Sequence, residues 1–211
     1  MLLHTEDEAR AFVAARCASA AAFEAVDTFA TRLVEGSRSQ NLIAASTIPS
    51  LWLRHLADSA QLLDHVSRET DPWIDFGAGA GLPGLVVAMM RPDRAVVLIE
   101  SRGLRIQWLT EIITEFSLLN CRVLGADVRR IATFEAGVIS ARAFAPLPRL
   151  VELSARFSTN ATEWVLPKGR SAEQDIASLP AHLRTRFHVK HSVTDAEARI
   201  LTARGQLRID R

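Results

Sequence analysis

The chain has 211 residues, enough for one α/β domain with a sizeable core and a small extension. Hydrophobic residues at 48% and charged residues at 23% are ordinary for a soluble globular protein, and a net charge of +1 excludes polyanion binding by bulk charge. Any nucleic-acid contact must therefore come from a local basic face. No apolar run approaches the roughly 20 residues of a membrane helix, so no membrane partner is expected. The start, Met1-Leu2-Leu3-His4-Thr5-Glu6-Asp7-Glu8, lacks a basic stretch followed by an apolar one and reads as without a secretory signal. Cys17 and Cys121 lie far apart and lack metal-ligand spacing. Reduced thiols, a cytoplasmic setting and no metal are the expectations.

In chain order, residues 5–35 are alanine-rich, with Phe12, Val13, Phe23, Val26, Phe29, Leu33 and Val34 mostly three or four apart. That is helical periodicity, and Thr5 with Glu8 is a capping-box candidate. Gly36 is expected to end the region, with 37–50 looser and a further helix over 51–66 carrying Trp52, Leu53, Leu56, Leu62 and Leu63. After Asp71-Pro72 the pattern changes. Strands are predicted over 73–76, 95–100, 121–125, 138–141 and 163–166, and helices over 82–90, 104–116 and 147–157. Such alternation argues for a doubly wound, mostly parallel sheet with helices on both faces. In the tail, 184–191 and 198–204 read as two strands around Asp195-Ala196-Glu197, an antiparallel pair at a sheet edge.

The chemistry concentrates in Trp73-Ile74-Asp75-Phe76-Gly77-Ala78-Gly79-Ala80-Gly81-Leu82-Pro83-Gly84. A short strand with an acid near its end, a glycine-dense turn and a helix make a backbone cradle for a nucleotide-like ligand. The dinucleotide fingerprint G-x-G-x-x-G fails from Gly77, where Leu82 stands at the third position, and matches only from Gly79, two residues late. No G-K-[ST] closes the turn, so it is not a phosphate-binding P-loop. Asp75-x-Gly77-x-Gly79 resembles the pattern of S-adenosylmethionine enzymes, whose cofactor offers a cationic end to an acid and a carboxylate to glycine N–H groups. Glu100 ends a strand about 20 residues on, where a carboxylate can accept from ribose hydroxyls of either cofactor class. Asp127 follows the third strand, where methyltransferases of this fold often contact the adenine amino group; a helix N-cap before Val128 is the alternative.

Several stretches between about Asn41 and Gly169 resemble the bacterial small-subunit rRNA guanine-N7 methyltransferases, the glucose-inhibited division protein B family. Arg54-His55-Leu56-Ala57-Asp58-Ser59 is similar to the family's R-H-I-L-D-S stretch, and Asp75 to Gly84 to its cofactor loop. Ile139-Ser140-Ala141-Arg142-Ala143-Phe144-Ala145 resembles its strand-four motif, with Ala141 added, and Lys168-Gly169 its motif after strand five. The resemblance implies a Rossmann-like methyltransferase fold, S-adenosyl-L-methionine as cofactor, and methyl transfer to N7 of one guanine in 16S rRNA. It assigns cofactor contacts to Gly77, Leu82, Val128, Arg129 and Arg142. Two departures stand out: Asp127 and Arg129 replace the usual Arg-then-Glu order in the strand-three loop, and Leu104 stands where Lys is frequent.

Guanine N7 carries no proton, so no catalytic base is expected, and positioning is expected to supply the rate. The target base must be reachable, in a loop or splayed out. RNA contacts are expected at Arg54, His55, Arg142, Arg149, Lys168 and Arg170, with Trp73, Trp108 and Trp164 in the core. Residues 1–70 are expected to form a helical extension packed on a methyltransferase domain of 71–211, in one compact unit. The chain is taken as a monomer by default, acting on 16S rRNA or a 30S particle. Three other readings stay open here: a same-fold methyltransferase for a small molecule or protein, a nicotinamide-dependent oxidoreductase, and a non-catalytic RNA-binding relic.

Overall fold

The computed structural model describes residues 2–67 and 69–209. Helix α1, Glu6–Ala14, begins with the expected capping box: Glu8 N–H donates to Thr5 Oγ1 at 3.1 Å and Thr5 N–H to Glu8 Oε2 at 3.2 Å. Helix α2, Ala20–Gln40, is capped by Ser19 and ends at Asn41, whose φ of 49° is left-handed. Gly36 therefore does not end the helix but lies inside it. A Cβ at Gly36 would stand 2.6 Å from Trp108 Cζ3 and 2.7 Å from Leu42 Cδ1, so the glycine is there for close packing.

The helix expected over 51–66 is broken up. A 3-10 turn, Ala45–Ser50, leads into a π turn, Trp52–Ala57, one α turn (α3, Asp58–Ala60) and a second 3-10 turn, Gln61–His65. The first N–H groups of the π turn are satisfied from outside: Glu6 accepts from Trp52 N–H at 2.8 Å and from Leu53 N–H at 2.9 Å. π turns are uncommon and gather at functional sites; this one carries Arg54 and His55.

Among the described residues seven strands follow: β1 Trp73–Phe76, β2 Val96–Glu100, β3 Cys121–Gly125, β4 Ala136–Ala141, β5 Ser158–Lys168, β6 His188–His191 and β7 Arg199–Arg204. Helices α4 Gly84–Met90, α5 Gly103–Glu115, α6 Leu147–Ser154, α7 Ala172–Ala177 and α8 Ala181–Arg184 lie between them. The order is β3-β2-β1-β4-β5-β7-β6, parallel from β3 to β5 and antiparallel at β5–β7 and β7–β6. Strand order reverses between β1 and β4, which puts the ligand crevice at their carboxyl ends. Strand β5 is longer than expected at both ends: β4 pairs with its start at Ala136↔Ser158, and β7 pairs along its second half, from Glu163↔Arg204 to Lys168↔Arg199. The tail pair is present, but residues 181–184 form α8 and β6 starts only at His188. Strand β6 is exposed throughout and carries His188, Lys190 and His191, a polar edge that discourages further pairing.

Two cores flank the sheet. One packs α1, α2, α4 and α5 through residues such as Phe29, Leu33, Leu85, Met89 and Trp108; the other packs α6 to α8 through Leu147, Leu150, Phe157 and Leu183. Trp73, Trp108 and Trp164 are buried, each with its indole N–H bonded, to Ser140, to the Ala80 carbonyl and to the Gly205 carbonyl. The N-terminal helices are tied to the tail: Leu3 N–H donates to the Val193 carbonyl at 2.7 Å, and Val193 N–H to Gln61 Oε1 at 2.8 Å. Cys17 and Cys121 are free thiols whose pKa values burial pushes up to about 11 and about 12.

Candidate active site

A cavity of about 690 Å³ opens at the carboxyl ends of β1, β2 and β4, the size of a cofactor site. Gly77, Gly79, Leu82, Glu100, Val128 and Arg142, all expected cofactor residues, line it. The turn is left-handed at Gly77 (φ 68°), Gly79 (φ 53°) and Gly81 (φ 92°). A Cβ on Gly77 would collide with the Phe144 ring, so the cradle depends on the missing side chain. Glu100 holds the turn: Oε2 accepts from Gly79 N–H at 3.0 Å, and Oε1 from the N–H groups of Ser101 and Arg102 at 2.7 and 2.9 Å. Among the described residues Oε2 takes a single hydrogen bond and so keeps acceptor capacity, and Glu100 lines the cavity.

Three expected cofactor residues lie off the cavity wall. Asp75 is fully buried and spends both oxygens inside the protein: Gly84 N–H donates to Oδ2 at 3.0 Å and Ser140 Oγ–H to Oδ1 at 2.8 Å. Side chains alternate along a strand, and Asp75 shares the α4 face of β1 with Trp73 while Ile74 and Phe76 take the other. Burial pushes its carboxyl up to about 7. Its place is beneath the turn, off the cavity wall. Asp127 N-caps the 3-10 turn Val128–Arg130, accepting from Arg129 N–H at 2.9 Å, and grips the Arg129 guanidinium. The Arg129 hydrogen bonds hold the Asp127 carboxyl well below the usual range. The two charges face each other, and their loop offers Ala126 and Val128 to the cavity instead.

Arg142, which follows β4, is fixed by a short relay. Its NH2 donates to His55 Nδ1 at 2.9 Å; His55 Nε2 lies 2.7 Å from Thr47 Oγ1, whose hydroxyl donates to the Ala44 carbonyl at 2.7 Å. Since Thr47 spends its proton on Ala44, the imidazole must carry its hydrogen on Nε2 and accept on Nδ1. Burial, then the Arg142 charge, pulls the His55 pKa down to about 4, which keeps the ring neutral. His55 is only 6% exposed, so this expected RNA contact faces Arg142 rather than solvent.

A second recess, about 350 Å³, shares Arg142 and Ala143 with the first. Ala143 is left-handed (φ 52°), a strained state for a residue with a Cβ and one that concentrates at functional sites. Arg54, Asp58, Lys168, Asp175 and Asp195 complete the charged lining of the recess. Arg54 pairs with Asp195 at 2.7 Å and Lys168 with Asp175 at 3.2 Å. Arg170, 83% exposed, reaches Glu197 in the same acidic turn that carries Asp195. Three expected RNA residues, Arg54, Arg142 and Lys168, thus converge on one recess; Arg149 pairs with Glu152 on α6 and lines neither cavity.

Several wall residues carried no sequence signal. Asn41 to Ala44 and Thr47 roof the first cavity from the N-terminal segment, and Arg105 ties α5 to that roof through the carbonyls of Gln40 and Asn41 at 2.8 and 2.9 Å. Phe144 was visible only as part of the strand-four motif; its contact with Gly77 is a product of the β1–β4 pairing.

The family described as rRNA small subunit methyltransferase G matches residues 22–202. Among similar proteins, "Ribosomal RNA small subunit methyltransferase G" of Erythrobacter litoralis is 52% identical over 97% of this chain and 99% of its own length. The Sphingopyxis alaskensis protein of the same name is 51% identical over 86% of this chain and 78% of its own. Among solved structures, a SAM-dependent methyltransferase from Aquifex aeolicus superposes with a TM-score of 0.58 at 15% identity, covering 81% of this chain and 98% of that one. An MtNAS variant solved with S-adenosylmethionine gives 0.55 at 16% identity, covering 95% and 77%. At such identities these two structures speak for the fold alone. By the matched span and the identity to its relatives, the chain is a member of the rRNA small subunit methyltransferase G family.

Proposed function

We propose that this protein transfers a methyl group from S-adenosyl-L-methionine to N7 of a guanine in 16S rRNA. The observation that carries the reading is the pair of adjoining cavities: a glycine-walled one at the strand switch point and a cation-bearing one, divided by Arg142 and Ala143. The relatives' printed name supports an rRNA substrate, and the resemblance of the motifs supports guanine N7.

The residues present fit the cofactor. Gly79 leaves open space beside the backbone, with only the Gly77 carbonyl near the position of a Cβ, Glu100 offers a carboxylate oxygen to a ribose, and Leu82 and Val128 supply apolar wall. When bound, S-adenosyl-L-methionine supplies an electrophilic methyl group. The protein's own part is to orient and to exclude water. N7 attacks with a lone pair, so no side chain has to remove a proton. The buried groups nearby suit that: His55 is neutral with both nitrogens engaged, and Asp75 is sealed beneath the turn. Holding N7 in line with the methyl group is then the main source of acceleration.

In this reading residues 1–70 act as a helical extension on a 71–211 methyltransferase domain, roofing the cofactor cavity. The chain works as a monomer on 16S rRNA or a 30S particle, through Arg54, Arg142, Lys168 and Arg170. The test is transfer of radiolabelled methyl from S-adenosyl-L-methionine to under-methylated 30S subunits and to free 16S rRNA, with the modified position mapped by primer extension. Label at one guanine N7 is the expected result; label absent from both RNAs, or at an exocyclic amine, overturns the reading.

A further inference from the structure

Asp58 and Arg142 stand side by side on the wall of the second recess, one with an unused acceptor and the other with an unused donor. Asp58 Oδ1 is fully occupied, accepting from Gln61 Nε2 at 2.9 Å and from Thr194 Oγ1 at 3.2 Å. Asp58 Oδ2 accepts no hydrogen bond from the described residues; its nearest cation is Arg142 NH1, 3.6 Å away and too far for one. That NH1 is itself buried without a hydrogen-bond partner among the described residues, although NH2 of the same guanidinium reaches His55. Of the two, NH1 is the buried orphan, and unfilled capacity on a buried charged group is costly, whereas Oδ2 is an acceptor left open to the recess. The Arg142 side chain as a whole is 27% exposed and lines the recess, while NH1 is buried, so a base reaches NH1 only when the guanidinium turns toward it.

The lining has an order. Asp58 lines the second recess only, Arg142 lines both, and Gly77 and Glu100 line the cofactor cavity only. Guanine presents a matching order along one side of the ring: N1–H, a donor; O6, an acceptor; N7, an acceptor. We propose that the second recess receives the acceptor guanine, with N1–H donated to Asp58 Oδ2, O6 accepting from Arg142 NH1, and N7 turned toward the cofactor cavity. This assignment rests on the activity proposed above and names the contacts that select its base. Adenine reverses both polarities, offering an acceptor at N1 to a carboxylate and an amino group at C6 to a guanidinium. The pair therefore admits guanine and rejects adenine.

The same contacts serve the reaction. The N7 lone pair forms the new N–C bond as the S–C bond breaks, and that bond's electrons remain on sulfur, which becomes a neutral thioether. The ring gains a positive charge and N7 loses no proton. A carboxylate at N1–H then lies against charge that develops only as the bond forms, which is where electrostatic stabilisation is effective.

The test is binding of free nucleotides to the full chain with S-adenosylhomocysteine present, read by calorimetry or by NMR shifts. The probes are GMP, AMP and 1-methyl-GMP, which lacks the N1 hydrogen. GMP is expected to bind roughly ten- to a hundredfold more tightly than AMP or 1-methyl-GMP, the discrimination of one good base-edge pair. Asp58→Asn is expected to lower GMP affinity by a similar factor and to leave S-adenosylhomocysteine affinity unchanged. Equal affinity for GMP and AMP, or for GMP and 1-methyl-GMP, overturns the assignment without any variant, so it stays open to test even if Asp58→Asn does not fold. A folded Asp58→Asn protein with wild-type GMP affinity also overturns it. These outcomes are separate from the activity: a chain that prefers GMP but methylates no rRNA leaves the recess assignment standing and removes the activity.

Discussion

His55 and Arg142 share a 2.9 Å hydrogen bond that only a neutral imidazole accepting on Nδ1 can make. The guanidinium that separates the two cavities is thus oriented by a residue of the N-terminal segment. Arg142→Ala is expected to reduce methyl transfer to rRNA by at least about tenfold, the loss of one charge-assisted contact, with the fold retained by circular dichroism. Wild-type turnover in that variant would remove Arg142 from the site.

The neutral ring has a stability signature. A His whose pKa falls from an ordinary 6.5 to about 4 on folding binds fewer protons in the native state than in the unfolded one across that window. Its contribution is complete above pH 6.5 and is lost as the pH falls toward 4. Asp75 acts in the opposite sense: its carboxyl rises from 3.8 to about 7, so its contribution is complete below 3.8 and lost as the pH rises to about 7. Denaturation midpoints of wild type and His55→Gln between pH 4 and 7 isolate the histidine, because Asp75 is common to both. The wild type should lose stability relative to the variant as pH falls; parallel profiles would contradict the neutral-ring assignment.

Gly77 combines a left-handed backbone with a neighbour in the way. Gly77→Ala is expected to weaken S-adenosyl-L-methionine binding at least about tenfold, and Gly77→Val to abolish it, since non-glycine left-handed strain and ring displacement together cost about 1–3 kcal/mol or more. Calorimetric titration measures this. Phe144→Ala in the Gly77→Ala background should restore part of the affinity; if it restores none, the ring is not the obstacle.

Gly36 sits where helix propensity and packing disagree. Alanine gains about 1 kcal/mol in a helix interior, but the added methyl would stand 2.6 Å from Trp108. Overpacking of a filled core costs about 1–3 kcal/mol. Gly36→Ala is expected to be net destabilising in urea denaturation, and a rise in midpoint would show that Trp108 and Leu42 can move aside.

Arg54 and Lys168 are held by Asp195 and Asp175 across the second recess. If they contact phosphate, Arg54→Ala and Lys168→Ala should each weaken rRNA binding and lower the slope of log K against log salt by about 1. Filter-binding titrations over a range of salt measure both, and an unchanged slope would assign these cations to internal ion pairs alone.

The sheet was largely legible because β-type runs alternate with helical ones, and the glycine turn because its conformation needs glycine. The side on which Asp75 points was not, since closeness to the turn in sequence says nothing of which face of β1 a side chain takes. Asp127 read equally well as ligand and as N-cap, and its own neighbour Arg129 decides for the cap. The 51–66 segment showed apolar spacing, which marks a buried face but not whether backbone bonds close at three, four or five residues. Thr47 reaches the site only through tertiary packing, which leaves no local trace.

The second recess also says something about the order in which the molecule assembles. Its two sides meet through Arg54–Asp195, 141 positions apart, and Thr194–Asp58, 136 apart. Contacts that close such long loops form late, after the local helices and the central parallel strands. A partly folded chain can therefore own a finished glycine turn while the wall that would receive a base is still open. On the proposed assignment, recognition of the base is then a property of the completed polypeptide and not of any fragment of it.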